Sequence, residues 1–321
     1  MRLRLLVLGV PPEAWADAIE SLRRITSLEV AATASEASAL LPDAEVVVLI
    51  DHTGPWLEKN WEHARSLKWV QSSSTGVEDV LFPTLRQSAV VLTNSRGAYA
   101  QPLAEFVVFC VLYFAKGFPV MERNRLERRW EAYPVEEMGG QTIGIVGLGT
   151  SGLAVARMAK AMGMRVVAVR RRPGRPEGRA AIDELLPPSG LGALLAEADH
   201  VVNTLPLTAQ TRGLFDESSF RAMKPTATFI NIGRGATVCE PALIQALRQG
   251  SIRGAGLDVF ETEPLPQESE LYTLPNVILS PHCADKTAAA ERRVADLVVD
   301  NVQRFIDGQA LRNVTDKQAG Y

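Results

Sequence analysis

Three polar residues of the chain have the chemistry needed to reduce a 2-keto acid. Arg234, Glu263 and His282 each lie shortly after an apolar run of the kind that forms a β-strand. An arginine can bind a carboxylate through two parallel hydrogen bonds and can polarise a keto oxygen. A histidine can donate a proton to that oxygen while hydride reaches the carbon, and a glutamate can orient the imidazole and favour its charged form. Asp258 could accept a hydrogen bond from a nicotinamide amide.

A glycine-rich turn upstream of these residues predicts a dinucleotide site. It has the GxGxxG pattern, follows the apolar run Ile143–Val146 and precedes a helical pattern. The first glycine allows a tight turn, the second lets the backbone approach a pyrophosphate, and the third lets helix and strand pack closely. The positive end of the helix dipole would then face the phosphates. The alternative is a plain glycine-rich turn. The predicted phosphate-binding residues are Gly147, Leu148, Gly149, Thr150, Ser151 and Gly152.

The end of the next predicted strand indicates the preferred nicotinamide cofactor. NAD sites place an acid there to accept a hydrogen bond from the ribose 2′-hydroxyl. This chain instead has Arg170, Arg171 and Arg172. An arginine can bind a 2′-phosphate through two hydrogen bonds, whereas an acid would repel it. We therefore predict NADP as the cofactor, with NAD as the alternative. If the three arginines have no binding role, they form a basic turn that is exposed to solvent.

The elements that must position these residues are predicted by short apolar runs that alternate with helical patterns, which is typical of parallel sheets covered by helices. The pattern restarts near Gln141, so two α/β units are expected. The predicted strands are Leu3–Gly9, Glu29–Thr33, Glu45–Asp51, Lys68–Ser72, Val90–Asn94, Thr142–Gly147, Arg165–Arg170, His200–Leu205, Thr228–Ile232, Gly256–Val259 and Val277–Ser280. The predicted helices are Glu13–Ile25, Glu58–Ser66, Phe106–Ala115, Gly152–Gly163, Gly190–Ala198, Glu217–Met223, Glu240–Arg248 and Thr287–Asp307.

The composition excludes several other classes of protein. A chain of 321 residues with 46% hydrophobic and 22% charged residues is an ordinary globular protein, not a disordered or fibrous one. A net charge of −3 argues against nucleic-acid or membrane-surface partners. Three cysteines do not make a disulfide framework, which predicts a cytoplasmic location. His52, His63 and His200 have no partners spaced for a metal site and are expected at the surface or its boundary.

The ordered set of motifs resembles the D-isomer-specific 2-hydroxyacid dehydrogenase family, and the likeness covers nearly the whole chain. The motifs are the glycine turn, Leu205–Leu214, Asn231–Gly235, Asp258–Pro264 and Ser280–His282. The resemblance implies that Arg234, Glu263 and His282 are catalytic. It also implies that backbone amides around Ser74, Thr75 and Gly76 bind the substrate carboxylate, together with Arg234 and His282. The further cofactor contacts that it implies are Leu205, Pro206, Thr211, Ile232 and Gly233.

The resemblance also implies the architecture: two Rossmann-like, doubly wound parallel-sheet domains of the α/β class, with a cleft between them. Residues 1–98 plus 285–321 would form a discontinuous substrate-binding domain, and residues 99–284 the dinucleotide-binding domain, through which the chain would form a homodimer. Arg170 departs from the acid that is common in the family, and Cys283 from the small or aliphatic residues usual after the catalytic histidine. Cys283 is expected to be a half-buried packing residue, and Arg96 a surface arginine or a contact to the substrate tail.

These observations predict an oxidoreductase that transfers hydride from NADPH to a small 2-keto acid, such as glyoxylate or hydroxypyruvate, to give a D-2-hydroxy acid. The first alternative is an NAD-linked dehydrogenase of another D-2-hydroxy acid. The second is a nucleotide-sensing binding protein, because this fold also serves as a transcriptional corepressor. A sensor does not need an acid, an orienting carboxylate and an anion clamp, so the presence of all three favours the enzyme.

Overall fold

The chain folds into two units, each built around one parallel β-sheet. The computed structural model describes residues 2–171 and 179–320. Unit 1 comprises Met1–Tyr99 and Lys286–Tyr321, and unit 2 comprises Ala100–Asp285. All strand pairs within the two sheets are parallel, and helices connect the strands. The predicted α/β class with two parallel-sheet domains is therefore confirmed.

Both sheets are doubly wound, because the strand order of each reverses once. Unit 1 has the order β2-β1-β3-β4-β5 and unit 2 the order β12-β11-β10-β9-β6-β7-β8. The strands of unit 1 are β1 Leu3–Leu8, β2 Thr26–Ala31, β3 Val46–Leu49, β4 Trp69–Ser72 and β5 Val91–Thr93. Those of unit 2 are β6 Thr142–Val146, β7 Arg165–Val169, β8 Glu184–Leu186, β9 His200–Asn203, β10 Thr228–Asn231, β11 Gly254–Leu257 and β12 Val277–Leu279.

The helices cover central strands that are buried along their whole length, such as β3. All four residues of β3 are buried, as expected for a parallel strand with helices on both faces. The helices of the described residues are α1 Ala16–Ile25, α2 Ala34–Leu40, α3 Gly54–Lys59, α4 Pro83–Gln87, α5 Ala100–Ala115, α6 Phe118–Leu126, α7 Thr150–Ala161, α8 Leu191–Glu197, α9 Glu217–Ala222, α10 Glu240–Arg248 and α11 Ala288–Ile306.

Helix α11 belongs to unit 1 although it follows unit 2 in the sequence. The Thr287 hydroxyl caps its N-terminus by accepting a hydrogen bond from the Ala290 amide. Its fully buried Val294, Val298 and Val302 recur every four residues and form one apolar stripe, which packs in the same core as Trp15. Burying each such valine stabilises the unit by roughly 1.5–3 kcal/mol.

Helix α5 packs closely on the sheet of unit 2 because β11 presents glycines to it. A Cβ atom on Gly254 would lie 2.4 Å from the Phe114 ring, and one on Gly256 would lie 2.5 Å from the Cys110 sulfur. Burial raises the pKa of the Cys110 thiol, which keeps it protonated. Within residues 2–171 and 179–320, no single helix is both long and apolar enough to span a membrane; the bent pair α5 and α6 meets both criteria only in combination.

Most predicted elements are present with ends shifted by one to three residues. The predicted helix Glu58–Ser66 is instead α3 followed by a 3₁₀ turn at Trp61–His63. Strand β8 and helices α2 and α4 were not predicted. Strand β8 has three half-buried residues at the edge of the sheet, so it lacks the continuous apolar run of a central strand.

The expectation that His200 lies at the surface or its boundary is wrong. His200 begins β9 and only 1% of its surface is exposed. Its Nε2 lies 2.8 Å from the Gln141 Oε1 and its Nδ1 2.7 Å from the Thr228 hydroxyl. Because a carbonyl oxygen only accepts, Nε2 carries the proton and Nδ1 accepts a hydrogen bond from Thr228. Burial lowers the pKa of His200 from 6.5 to about 4.

This buried neutral imidazole predicts a loss of stability in mild acid. Between pH 6.5 and 4 the unfolded chain binds a proton that the folded His200 does not, so the free energy of unfolding falls as the pH falls through this window. Once the pH is low enough to protonate His200 in both states, this effect has lowered the free energy of unfolding by about 3 kcal/mol. Urea unfolding between pH 7 and 4 should show a weaker pH dependence for His200→Asn than for the wild-type protein. The exposed His63 is the control: an equal change for His63→Asn would contradict this assignment.

Candidate active site

The glycine turn after β6 has the geometry of a pyrophosphate-binding loop. Gly147 has a φ of +98°, which favours glycine, and its amide donates to the Val169 carbonyl over 3.0 Å. A Cβ on Gly152 would lie 2.3 Å from the Gly147 oxygen, so only glycine lets helix α7 pack on this turn. A Cβ on Gly149 would have no atom within 4 Å, so the backbone there is open to a ligand.

The first turn of α7 leaves amide groups available near this open backbone. Gly149 precedes the helix and provides no side-chain cap. Thr150 and Gly149 are exposed and Ser151 is half-buried, whereas Leu148 is buried in the core. An uncapped helix N-terminus of this kind binds phosphate oxygens through its backbone amides. The residues of the turn therefore fit the pyrophosphate of a dinucleotide.

Two of the three predicted 2′-phosphate ligands lie beside the glycine turn. Arg170 directly follows Val169, the residue whose carbonyl accepts the Gly147 amide, and its own amide donates to the Leu186 carbonyl over 3.0 Å. The Arg170 side chain is half-buried and Arg171 is exposed. Arg172 lies outside the described residues. Arg170 and Arg171 thus follow the end of β7, the position at which the sequence predicted the adenosine ribose.

The remaining predicted cofactor residues lie in loops after β9 and β10. A Cβ on Gly233 would lie 2.8 Å from the Leu205 oxygen, so the two loops are in close contact. The Thr211 hydroxyl donates to the Pro206 carbonyl over 2.7 Å and closes the loop after β9. Ile232 is buried in the core. The structure therefore brings the Leu205–Pro206 and Ile232–Gly233 segments together at one edge of the sheet.

A buried polar network connects these loops to Arg234 and was missed in the sequence. The Asn203 amide group donates to the Asn231 Oδ1 over 2.9 Å and to the Thr237 hydroxyl over 2.7 Å. The Thr237 hydroxyl in turn donates to the Arg234 carbonyl over 2.6 Å. Asn203, Asn231 and Thr237 are at most 1% exposed. An asparagine at the end of an apolar run was the available signal, but it is also common in simple turns.

Glu263 and His282 form a hydrogen-bonded pair at the candidate catalytic position. The His282 Nδ1 lies 2.7 Å from the Glu263 Oε2, and the other Glu263 oxygen accepts the Phe260 amide over 2.9 Å. Because Nδ1 binds the carboxylate, Nε2 is the ring nitrogen available for proton transfer. Arg234 follows β10, and its Nη1 donates to the Gly233 carbonyl over 2.8 Å.

The electrostatics of this pair favour an ion pair. The hydrogen bond to Glu263 raises the pKa of His282 and outweighs burial, which opposes it; the charges of Glu263 and Asp258 also raise it. Burial pushes the pKa of Glu263 upward, but the hydrogen bond from His282, the Phe260 amide and the charge of Arg234 bring it below its usual value. A protonated imidazole beside an ionised carboxylate can donate a proton from Nε2 to a substrate oxygen.

Asp258 holds the loop that carries His282. Its Oδ1 accepts hydrogen bonds from the Ser280 hydroxyl over 2.6 Å and from the Cys283 and Ala284 amides over 3.0 Å each. His282 itself has a φ of +52°, a conformation that non-glycine residues seldom adopt. Asp258 is 1% exposed. The expectation that Cys283 is half-buried is wrong, because its side chain is exposed.

The predicted carboxylate-binding residues lie in unit 1, directly after β4. Ser74 and Gly76 are half-buried and Thr75 is exposed. Arg96 is also exposed, and its Nη2 donates to the Asn313 Oδ1 over 3.4 Å. Arg96 thus fits the expectation of a surface arginine. Among residues 2–171 and 179–320, no group of three or more His, Cys, Asp or Glu side chains is arranged to hold a metal ion.

Comparison with known proteins assigns the family. Residues 108–284 match the family profile described as "D-isomer specific 2-hydroxyacid dehydrogenase, NAD binding domain". A glyoxylate reductase of Korarchaeum cryptofilum is 34% identical over 285 residues, which cover 86% of this chain and 83% of the relative. The chain therefore belongs to the D-isomer-specific 2-hydroxyacid dehydrogenase family.

Solved structures agree with this assignment. A family protein from Aeromonas salmonicida matches with a TM-score of 0.86 and 33% identity, over 98% of this chain and 99% of that one. An NADPH-dependent glyoxylate/hydroxypyruvate reductase from Sinorhizobium meliloti, solved in complex with NADP and sulfate, matches with a TM-score of 0.87 and 29% identity over the whole of both chains. The predicted family and the use of a nicotinamide cofactor are confirmed.

The Glu263–His282 pair predicts a shift in the titration of the imidazole. Replacing Glu263 by Gln removes the ionised acceptor that favours the protonated ring, so the pKa of His282 should fall. The chain has four histidines, and their C–H signals can be followed by NMR against pH. Glu261→Gln is the matched control, because it removes an exposed charge from the same loop. If the His282 pKa is the same in Glu263→Gln as in the wild-type protein, the hydrogen bond does not favour the charged imidazole.

Proposed function

We propose that the protein is an NADPH-dependent reductase of small 2-keto acids, such as glyoxylate and hydroxypyruvate, and forms the D-2-hydroxy acid. The observation that carries the proposal is the 2.7 Å contact between His282, which follows β12, and Glu263, which follows β11. Strand β11 lies between β12 and β10, the strand that ends before Arg234. Relatives named glyoxylate reductase support the substrate class.

The proposed mechanism divides the work among a few residues. When bound, NADPH supplies the hydride. The Arg234 guanidinium binds the keto acid and polarises its carbonyl oxygen, while the backbone amides around Ser74, Thr75 and Gly76 bind the carboxylate. His282 donates the proton on Nε2 to the keto oxygen, and Glu263 keeps the ring oriented and charged before transfer. Asp258 positions the His282 loop, and its second carboxylate oxygen is the proposed acceptor for the nicotinamide amide.

The proposed preference for NADPH rests on the end of β7. Arg170 and Arg171 are the first and second residues after Val169, whose carbonyl makes the backbone contact with the glycine turn, and neither position is an acid. The NADP complex of the Sinorhizobium meliloti relative supports this preference. The NAD-linked alternative would need a ribose acceptor at this position. The sensor alternative is disfavoured by the Glu263–His282 ion pair, which a binding protein does not require.

We further propose that unit 2 binds the dinucleotide, unit 1 binds the substrate, and the protein acts as a cytoplasmic homodimer through unit 2. Exposed apolar side chains on and after α6 support a contact between copies, including Met121, Leu126 and Trp130. Three free cysteines support a reducing compartment.

The catalytic proposal predicts that His282→Asn lowers kcat for glyoxylate reduction by ~10²–10⁴, the usual effect of losing a general acid. NADPH oxidation with a panel of keto acids provides the measurement, and His63→Asn is the control at an exposed histidine. A near-normal kcat in His282→Asn would remove this residue from the mechanism.

The wild-type protein should also prefer glyoxylate and hydroxypyruvate to 3-phosphohydroxypyruvate. The Ser72–Gly76 and Asn94–Gln101 segments contain one Arg and no Lys, whereas a phosphate dianion needs several donors.

The cofactor proposal predicts that Arg170→Asp shifts preference from NADPH toward NADH. One charge-assisted hydrogen bond to the 2′-phosphate gives roughly ten- to a hundred-fold preference, which the new acid would remove. The ratio of kcat/KM for the two cofactors measures the effect, and high salt should weaken NADPH binding more than NADH binding. Arg221→Asp changes an exposed charge on α9 and serves as the control. Equal kcat/KM values for the two cofactors in the wild-type protein would refute the role of the arginines.

A further inference from the structure

The last segment of unit 1 before α5, Asn94–Tyr99, donates hydrogen bonds to four consecutive carbonyl groups, which start at Ser72, the last residue of β4. The Ser95 hydroxyl donates to the Ser72 oxygen over 2.9 Å, and the Tyr99 hydroxyl donates to the Ser73 oxygen over 2.9 Å. The Ser95 amide donates to the Ser74 oxygen over 3.0 Å. The Asn94 side-chain amide donates to the Thr75 oxygen over 2.8 Å.

These bonds fix the direction of the backbone amides in the same loop. Each peptide bond here is trans, so the carbonyl of one residue and the amide of the next point in opposite directions. With the carbonyls of Ser73, Ser74 and Thr75 held toward the Asn94–Tyr99 segment, the amides of the following residues must point away from it. The Ser74 amide donates to the Ser72 hydroxyl over 3.2 Å. Within the described part of the chain, no acceptor is found for the amides of Thr75 and Gly76.

Two of the three donor residues, Asn94 and Ser95, are buried, and Tyr99 is half-buried. Asn94 is 4% exposed and Ser95 is fully buried, so water cannot readily replace their hydrogen bonds. The Asn94 amide donates to the Asn313 carbonyl over 3.2 Å, and the Asn94 Oδ1 accepts the Arg96 amide over 3.3 Å. Asn94 is thus fixed from the side of the C-terminal segment, and its side chain can hold the Thr75 carbonyl in one orientation.

We propose that Asn94 and Tyr99 are positioning residues for substrate binding. They do not touch the substrate. Asn94 orients the Gly76 amide through the Thr75 carbonyl, and Tyr99 holds the Ser73 carbonyl at the start of the same loop, so that the Thr75 and Gly76 amides present two adjacent donors to an anion. This inference rests on the proposed function, in which that anion is the carboxylate of the keto acid. Because the carboxylate is bound in both the ground state and the transition state, loss of the orientation weakens binding without slowing the chemical step.

The test compares steady-state kinetics of Asn94→Leu and Tyr99→Phe with the wild-type protein. Each variant removes a donor at similar side-chain size, and the KM for glyoxylate should rise roughly three- to ten-fold, as expected for one lost hydrogen bond. The kcat and the KM for NADPH should stay unchanged. Tyr99→Phe keeps the ring, so it tests the proposal even if Asn94→Leu does not fold.

The matched control is Thr26→Val, which removes a buried hydroxyl that donates to the Leu22 carbonyl over 2.8 Å elsewhere in unit 1. It should lower the Tm to a similar extent and leave the KM for glyoxylate unchanged. Two results for Tyr99→Phe would overturn the positioning role alone. One is a lowered Tm with an unchanged KM for glyoxylate. The other is a change in kcat and in the KM for NADPH as large as the change in the KM for glyoxylate. Failure of the wild-type protein to reduce any 2-keto acid would overturn the proposed function, and the positioning role with it.

Discussion

Parallel strand pairing around one reversal of strand order is the constraint on which the candidate site depends. In unit 2 all strands run in the same direction, so the loops after β6, β9, β10, β11 and β12 leave the sheet at the same edge, and the strand order reverses between β6 and β9. The glycine turn, Arg234, Asp258 and His282 are spread over 136 positions, from Gly147 to His282, and this topology alone brings them to one edge.

Buried polar groups then convert this coarse placement into a defined geometry. Asp258 collects three hydrogen bonds from the His282 loop on a single oxygen, and Asn203 joins Asn231 to Thr237 beneath Arg234. Buried polar side chains stabilise a structure when they have hydrogen-bond partners, and among the described residues no buried side-chain oxygen or nitrogen of these two networks lacks one. Each holds the backbone of a candidate functional residue, whereas the functional side chains themselves remain partly exposed.

The sequence was sufficient to predict what depends on local pattern. The periodicity of apolar runs indicated most strands, and the spacing of Gly147, Gly149 and Gly152 indicated the turn that the structure contains. The residues that sequence reasoning missed act through partners distant in the chain. His200 resembles a surface histidine until Thr228 and Gln141 are seen on either side of its ring. The orientation of the Thr75 amide depends on Asn94, and nothing in either residue type reveals that contact.

The position of helix α11 in the chain has a consequence for folding during synthesis. Unit 2 is a continuous segment, so all of its strands are available once residue 285 has left the ribosome. Unit 1 is begun first but cannot bury Trp15 beside Val294 and Val298 until the last part of the chain has been made. Before α11 is made, the face of the five-stranded sheet that it covers is protected only in part, by α1. The nascent chain can therefore complete its second unit before its first, with apolar surface of the first unit exposed in the meantime.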